Sequence, residues 1–167
     1  MPVKVLDSLG SGANSGVIAG VDFVGAKGKS GDVANLSLGG PVYQALDDAV
    51  LTFSNKRIKF ALAVGNKSSD ANNNSPAREN GADIVTISAM EVNNRWASFP
   101  NYRNPPVDFT APGVAIKSTW KGGVYSTIIE TSMAAPHAPG VPMLGAARTD
   151  GFVISDPDGN PDSTIVH

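Results

Sequence analysis

The chain has 167 residues, no cysteine and a net charge of −2 from thirteen basic and fifteen acidic side chains. The near-neutral balance argues against a nucleic-acid binder, because no excess of Lys and Arg is present to follow a phosphate backbone. The lack of cysteine excludes disulfide frameworks, thiolate zinc sites and cysteine nucleophiles. No apolar run is long enough for a membrane span, and the first residues do not read as a secretory signal.

The first half of the chain alternates helical and strand patterns. A helix that ends near residues 25–28 is predicted by four apolar residues at helical spacing: Val17, Ile18, Val21 and Val24. Residues 33–37 read as a strand, and Pro41 suits the first position of a second helix. Residues 58–64 form an apolar strand that we expect to be buried on both faces, and residues 84–89 form another.

This alternation predicts an α/β fold, a parallel sheet with helices on both faces. In the second half, residues 107–129 contain β-rich runs on either side of a Lys-Gly-Gly turn, which predicts a hairpin. Beyond residue 150 the sequence turns polar, so we expect residues 1–150 to form the domain. Residues 151–167 are expected to form a polar C-terminal tail or the start of a linker, with residues 155–167 on the surface.

Three polar positions stand at the ends of predicted elements. Ser132 stands where a helix would begin, so developing negative charge would be favoured there, but an ordinary N-cap serine is the alternative. Asn66 follows the apolar strand, where its amide can donate to an oxyanion, and a turn asparagine is the alternative. Residues 37–40 leave the backbone bare for an added peptide strand, or they form a plain turn.

Taken in order, these pieces resemble the subtilisin-like serine peptidases, most closely the proteinase K-like branch. The resemblance covers about residues 3–150 and rests on these segments: Val5-Leu6-Asp7, Gly10-Ser11-Gly12, residues 18–24, residues 34–40, residues 63–66, Asn74-Ser75-Pro76-Ala77, residues 97–99, Asn101-Tyr102, residues 108–113 and residues 131–137. It implies the three-layer fold of that family, incomplete at the N-terminal side.

The resemblance also implies roles for matched residues. Ser132 would be the nucleophile, and Asn66 would donate to the oxyanion together with the backbone N–H of Ser132. The edges of an extended substrate site and one wall of the specificity pocket would be formed by Gly10, Ser37, Leu38, Gly39, Ala63, Val64 and Gly65. Asp108 resembles a calcium ligand that carbonyls near residues 82 and 84 would complete. A polypeptide substrate and an extracellular location are implied. No cofactor is expected to be required, and a structural Ca²⁺ at Asp108 is the one ion that the resemblance suggests.

The resemblance identifies no general base in this sequence. In the family the triad Asp and His precede the Val5-Leu6-Asp7 motif, where this sequence begins. His137 matches a structural position after Met-Ala-x-Pro, and His167 stands in the expected tail. We therefore expect a truncated endopeptidase domain that is weak or inactive as this chain. A weak serine esterase using Ser132 and Asn66, or a non-catalytic peptide-binding homologue, are the alternatives.

Further departures from the family surround the serine. Glu130 replaces a glycine, so an anion would crowd the substrate site. Pro136, Pro139 and Pro142 predict a short or kinked helix after Ser132, because an interior proline removes a hydrogen bond and clashes with the preceding turn. Apolar faces of residues 3–6 and 17–24 are expected to be exposed, which would favour self-association.

Overall fold

The computed structural model describes residues 1–138 and 148–166. Its centre is a six-stranded sheet with the strand order β1-β3-β5-β6-β10-β9. The elements, in chain order, are α1 (Asn14–Lys27), β1 (Val33–Leu36), β2 (Gly40–Pro41), α2 (Gln44–Ser54), β3 (Lys59–Ala63), a 3₁₀ turn (Ala71–Asn73), β4 (Asn74–Ser75), β5 (Ile84–Met90), β6 (Val107–Pro112), β7 (Ile116–Trp120), β8 (Val124–Ile128), α3 (Thr131–Ala134), β9 (Arg148–Phe152) and β10 (Ser163–Val166).

The sheet confirms the predicted α/β fold. Strands β1, β3, β5, β6 and β10 pair in parallel, and β9 alone among the six is antiparallel to its neighbour β10. Strand β3 lies inside the sheet, and its residues Phe60 to Ala63 are buried, as the apolar run predicted. The predicted hairpin is also confirmed, because β7 and β8 pair antiparallel across the Lys-Gly-Gly turn.

Alternate residues of β3 face two different cores, which gives the three layers. Phe60 and Leu62 pack with α1 and α2, in a cluster that includes Val21 and Val50. On the other face, seven alanines and two isoleucines form the core with α3: Ala61, Ala63, Ile87, Ala89, Ala111, Ala134, Ala135, Ala138 and Ile165. The alanine-rich face lets the start of α3 approach the strands closely. It thereby sets Ser132 near the carboxyl end of β3.

Two expectations about single elements are wrong. Pro41 does not begin a helix: it pairs with Asn74 in the two-residue ladder of β2 and β4, and α2 begins only at Gln44. The expected tail is wrong for Ser163–Val166, which form β10 between β6 and β9. The polar composition concealed this strand, because its side chains Thr164 and Ile165 are buried among other strands. Pro139 and Pro142 lie outside the described residues; α3 ends before Pro136.

The N-terminal part leaves an apolar groove beside β1. The groove has a volume of about 780 Å³, and its apolar lining includes Val3, Val5, Val17, Val21, Val24, Leu36, Leu38, Ile58 and Phe60. Val17 and Val21 are nevertheless almost fully buried, so the expectation of an uncovered helix face is wrong for these two residues. No helix within the described ranges has the length and apolar character that crossing a bilayer requires.

Candidate active site

Asn66 is oriented by the first peptide group of α3. Its Oδ1 accepts a hydrogen bond from the N–H of Thr131 (2.9 Å), one of the donors that a helix start leaves without an intrahelical partner. The hydroxyl of Thr131 in turn accepts from the N–H of Gly65 (3.2 Å). Because the amide oxygen is held, Nδ2 is the atom that Asn66 presents elsewhere, and the side chain is exposed. Asn66 is thereby tied to Thr131, the residue directly before Ser132.

The loop that carries Asn66 is held by buried amides. The carbonyl of Val64 accepts from Nδ2 of Asn74 (3.1 Å) and of Asn101 (3.0 Å). Oδ1 of Asn101 accepts from the N–H groups of Lys67 (3.0 Å) and Ser69 (3.3 Å) and from the Ser69 hydroxyl (3.2 Å). The Asn101 side chain therefore bonds to the loop both before Asn66, at Val64, and after it, at Lys67 and Ser69.

Gly65 makes this close approach feasible. Its φ is +102°, and a Cβ placed there would lie 2.7 Å from Nδ2 of Asn101 and 2.9 Å from Nδ2 of Asn74. Sequence reasoning matched the segments of both asparagines but gave neither side chain a role. Nothing local distinguishes a buried, loop-bracing asparagine from the many surface asparagines around it.

A cleft of about 1000 Å³ brings together five of the predicted site residues. Ser132 lines it together with Gly10, Ser37, Leu38 and Gly39. The hydroxyl of Ser37 donates to the carbonyl of Ser132 (3.0 Å), which ties the start of α3 to the segment after β1. The cleft is therefore bounded by the predicted substrate edges and by the predicted nucleophile.

The proposed pocket wall behaves differently from the cleft residues. The side chains of Ala63 and Val64 are buried, with exposures of 3% and 0%, and Val64 packs against Ala71 and Val107. Only the backbone of these two residues remains to face a substrate. The backbone N–H of Gly65 donates to the hydroxyl of Thr131, which places Gly65 beside the residue that precedes Ser132.

Glu130 brings a negative charge to the cleft. It is exposed, it lines the same cleft as Ser132, and its backbone N–H donates to the carbonyl of Gly113 (3.0 Å). An acidic side chain so close to the serine opposes the development of an oxyanion. Of the two histidines in the sequence, His137 is described and half-buried, whereas His167 lies outside the described residues.

Asp108 lies apart from this cleft, on β6. Its Oδ2 accepts from the N–H of Thr86 (2.8 Å), two residues beyond Ile84. Burial raises the pKa of Asp108 to about 6. Within residues 1–138 and 148–166 no three carboxylate, imidazole or thiol groups gather around one point. A calcium ion at Asp108 would therefore depend on backbone carbonyls for its remaining protein ligands.

Comparison with known proteins finds one family and several relatives. The model of the subtilase family matches residues 1–147. Alkaline serine exoprotease A of Vibrio alginolyticus is 48% identical over 142 residues, covering 85% of this chain and 26% of that protein. Proteinase T of Parengyodontium album is 43% identical over 144 residues, covering 83% of this chain and 48% of that protein.

A solved structure gives the same result in three dimensions. The crystal structure of a cold-adapted subtilisin-like serine proteinase matches with a TM-score of 0.88 and 39% sequence identity, covering 97% of this chain and 64% of that one. The chain spans between about a quarter and a half of the length of these curated relatives, and less than two thirds of the solved structure.

Proposed function

The chain belongs to the subtilase family, in its proteinase K-like branch, and we propose that Ser132 is the nucleophile of a serine endopeptidase. Its Oγ attacks the carbonyl carbon of a peptide, the tetrahedral intermediate expels the amine, and an ester on Ser132 remains. Water then hydrolyses this ester. The observation that carries the proposal is the bond from the Thr131 N–H to Oδ1 of Asn66 (2.9 Å).

That bond supports an oxyanion role because it removes one orientation of the amide. A flip of Asn66 would place its NH₂ group against the N–H of Thr131, two donors facing each other. Nδ2 is therefore the atom directed to a substrate oxygen, with the backbone N–H of Ser132 as the second donor. Preorganised donors of this kind stabilise the charge that develops in the transition state, and removing one costs about 10²–10³-fold in rate.

We propose that neither His137 nor His167 acts as the base, so that this chain by itself hydrolyses peptide bonds weakly. A serine hydroxyl is a poor nucleophile without an adjacent base. His137 follows Ser132 by five residues, beyond the four-residue helix α3. An activated ester has a better leaving group than an amide, so a weak esterase reaction at Ser132 is the activity to look for first.

The test is hydrolysis of an activated nitrophenyl ester, with imidazole added as an exogenous base. Imidazole alone hydrolyses such esters, so each rate is taken above that of imidazole without protein. We expect imidazole to raise this net rate for the wild-type chain and an acyl adduct to form on Ser132, detected by mass spectrometry of the peptides. Ser132→Ala should abolish both, and Asn66→Ala should lower the rate by about 10²–10³-fold. Ser118→Ala, at an exposed serine of β7, is the matched control and should have no effect.

Two outcomes would contradict the proposal. Ester hydrolysis that survives Ser132→Ala would place the activity at another residue. A rate that falls with His137→Ala and returns with imidazole would make His137 the base.

Peptide binding without turnover is the second candidate, favoured by the cleft that Gly10 and residues 37–39 line together. An extended peptide can add its backbone to such an edge without any chemistry at Ser132. The discriminating measurement is the binding of a fluorescent peptide to Ser132→Ala. Binding combined with no acyl adduct in the wild-type chain would favour this candidate.

Three further expectations stay proposals for this chain. We propose that its substrate is a polypeptide, as the family implies. We propose that Asp108 holds a structural calcium ion, for which the test is a calcium-dependent rise in melting temperature that becomes smaller in Asp108→Asn. We propose an extracellular location, which assay of the native protein in culture medium against cell lysate would decide.

A further inference from the structure

A loop far from the serine carries alternating carboxylates. It joins β9 to β10 and reads Asp-Pro-Asp-Gly-Asn-Pro-Asp from residue 156 to residue 162. The loop curls around its own side chains: Asp156 accepts from the N–H groups of Asp158 (3.2 Å) and Asp162 (3.3 Å), and Asp158 accepts from that of Asn160 (2.9 Å).

Asp162 is the unusual member of this loop. Its residue is only 2% exposed, and both carboxylate oxygens are buried without a hydrogen-bond partner. The amide of Asn104 lies near and favours the ionised form of Asp162, but the hydrogen bond that it makes goes from Nδ2 to the carbonyl of Asn160 (3.1 Å). A carboxylate accepts hydrogen bonds only, so an unpartnered one in the interior points to a ligand that the side chain lacks.

The charges around Asp162 all have its own sign. Asp156 and Asp158 in the loop and Asp108 on β6 each act on it, and Asp108 is its neighbour because Ser163 pairs with Phe109 in the parallel ladder. Burial, reinforced by these carboxylates, raises the pKa of Asp162 to about 7. Either a proton or a bound cation must neutralise this group.

We propose that the 156–162 loop binds a single calcium ion through the carboxylates of Asp156, Asp158 and Asp162. Calcium accepts six to eight oxygen ligands in a flexible arrangement, and the EF-hand loop supplies ligands from alternate positions 1, 3 and 5. Here the alternate positions are Asp156, Asp158 and Asn160, the buried carboxylate of Asp162 follows two residues later, and Gly159 turns the backbone with a φ of +75°. Magnesium is a poorer fit because it demands a near-ideal octahedron.

Binding requires a small rearrangement of the loop. The carboxylates are not yet gathered around one point within the described ranges. Asp162 is the fixed member, since it is buried directly before β10, whereas Asp156 and Asp158 are only partly buried. Each carboxylate oxygen has a second lone pair, so Asp156 and Asp158 can turn toward the ion and keep their contacts to the loop N–H groups.

The consequence is a stabilised end of the sheet. The loop is anchored on one side by β10 and on the other by Val153, which is buried against Met90 and Trp96. The N–H of Trp96 also donates to the carbonyl of Ile154 (2.9 Å). A cation that holds residues 156–162 together therefore ties β9 and β10 to this cluster, independently of any chemistry at Ser132.

The experiment is calorimetric titration of the full chain with calcium chloride at about pH 8, where the Asp162 carboxyl is ionised. We expect one calcium ion at the loop, separate from the ion proposed at Asp108. Its binding should weaken about tenfold or more in Asp158→Asn and in Asp162→Asn and persist in Asp108→Asn. The matched control is Asp150→Asn, the same change at an exposed position on β9, which should leave the affinity unchanged.

The remaining outcomes overturn the proposal. Binding lost in Asp108→Asn but unchanged in both loop variants would place the ion at Asp108 instead. No calcium binding by the wild-type chain, whose circular dichroism shows it folded, would mean that a proton alone neutralises Asp162. If Asp162→Asn does not fold, Asp158→Asn decides, because its side chain lies nearer the surface.

Discussion

The loop after β3 and the loop before β10 handle buried polarity in opposite ways. Residues 64–69 are held by asparagines, and Asn101 donates to Val64 while accepting from Lys67 and Ser69. Residues 156–162 are held by aspartates, which accept hydrogen bonds only, and both oxygens of Asp162 are left without a donor. An amide has both a donor and an acceptor, so the polar groups of the first loop can be paired within the protein. The second loop needs a proton or a cation from solvent.

The largest expected effect comes from adding a side chain at Gly65, where the packed amides of the first loop leave no room for one. Gly65→Ala should lower the free energy of unfolding by about 4 kcal/mol, because its Cβ meets two buried amides and its φ of +102° is strained for alanine. The control is Gly31→Ala, at a φ of +93° with no atom within 4 Å of the new Cβ. Equal urea midpoints for the two variants would show that the amides yield readily.

Removal of the bracing amide should cost somewhat less. Asn101→Ala should lower the free energy of unfolding by about 3 kcal/mol. It removes the acceptor of the Lys67 and Ser69 N–H groups and one of the two amide donors to the buried Val64 carbonyl. The comparison variant is Asn73→Ala, at an exposed position of the 3₁₀ turn. Urea denaturation measures both, and a difference below about 1 kcal/mol would mean that water replaces the lost bonds.

The second loop should make the free energy of unfolding depend on pH. In calcium-free buffer the folded chain keeps a proton on Asp162 up to about pH 7, whereas the unfolded chain loses it near the ordinary value of 3.8. Stability from this group is therefore present at low pH and lost as pH rises between these values. Asp108 contributes in the same direction, since its pKa is also raised.

Asp162→Asn isolates the loop from Asp108. This variant should show a shallower fall of unfolding free energy between about pH 4 and pH 7, while Asp150→Asn should follow the wild-type curve. Parallel curves for wild type and Asp162→Asn would place the pH dependence at other carboxyls.

The two loops also differ in how far the sequence reveals them. The parallel sheet and helix α1 were predictable because apolar side chains recur at strand and helix periods, and Asn66 was predictable because it ends the most apolar strand. The role of Asn101 was not, since its partners lie more than thirty residues away in the chain. Long-range hydrogen bonds leave no periodic signal.

For the C-terminal strand β10, the prediction from composition was wrong about the element itself. Its polar neighbours suggested a tail, yet Asp162 and Thr164 are buried because β6 and β9 surround β10. Three carboxylates within seven residues, at 156, 158 and 162, were the local sign in the sequence that this polar segment is organised. Amino-acid composition alone does not distinguish polar residues that face solvent from polar residues that are buried in a sheet.

The smallest predicted effect concerns the link between the cleft edge and the serine. Ser37→Ala removes the hydroxyl that donates to the carbonyl of Ser132 (3.0 Å), a partly buried bond at the start of α3. We expect the free energy of unfolding to fall by about 1 kcal/mol, as for a typical hydrogen bond, with Ser30→Ala at an exposed turn as the control. If the bond also positions Ser132, ester acylation should slow by more than the stability loss explains at a temperature where both proteins are folded. An unchanged acylation rate would restrict Ser37 to a structural role, because the carbonyl of Ser132 would then hold its place through α3 alone.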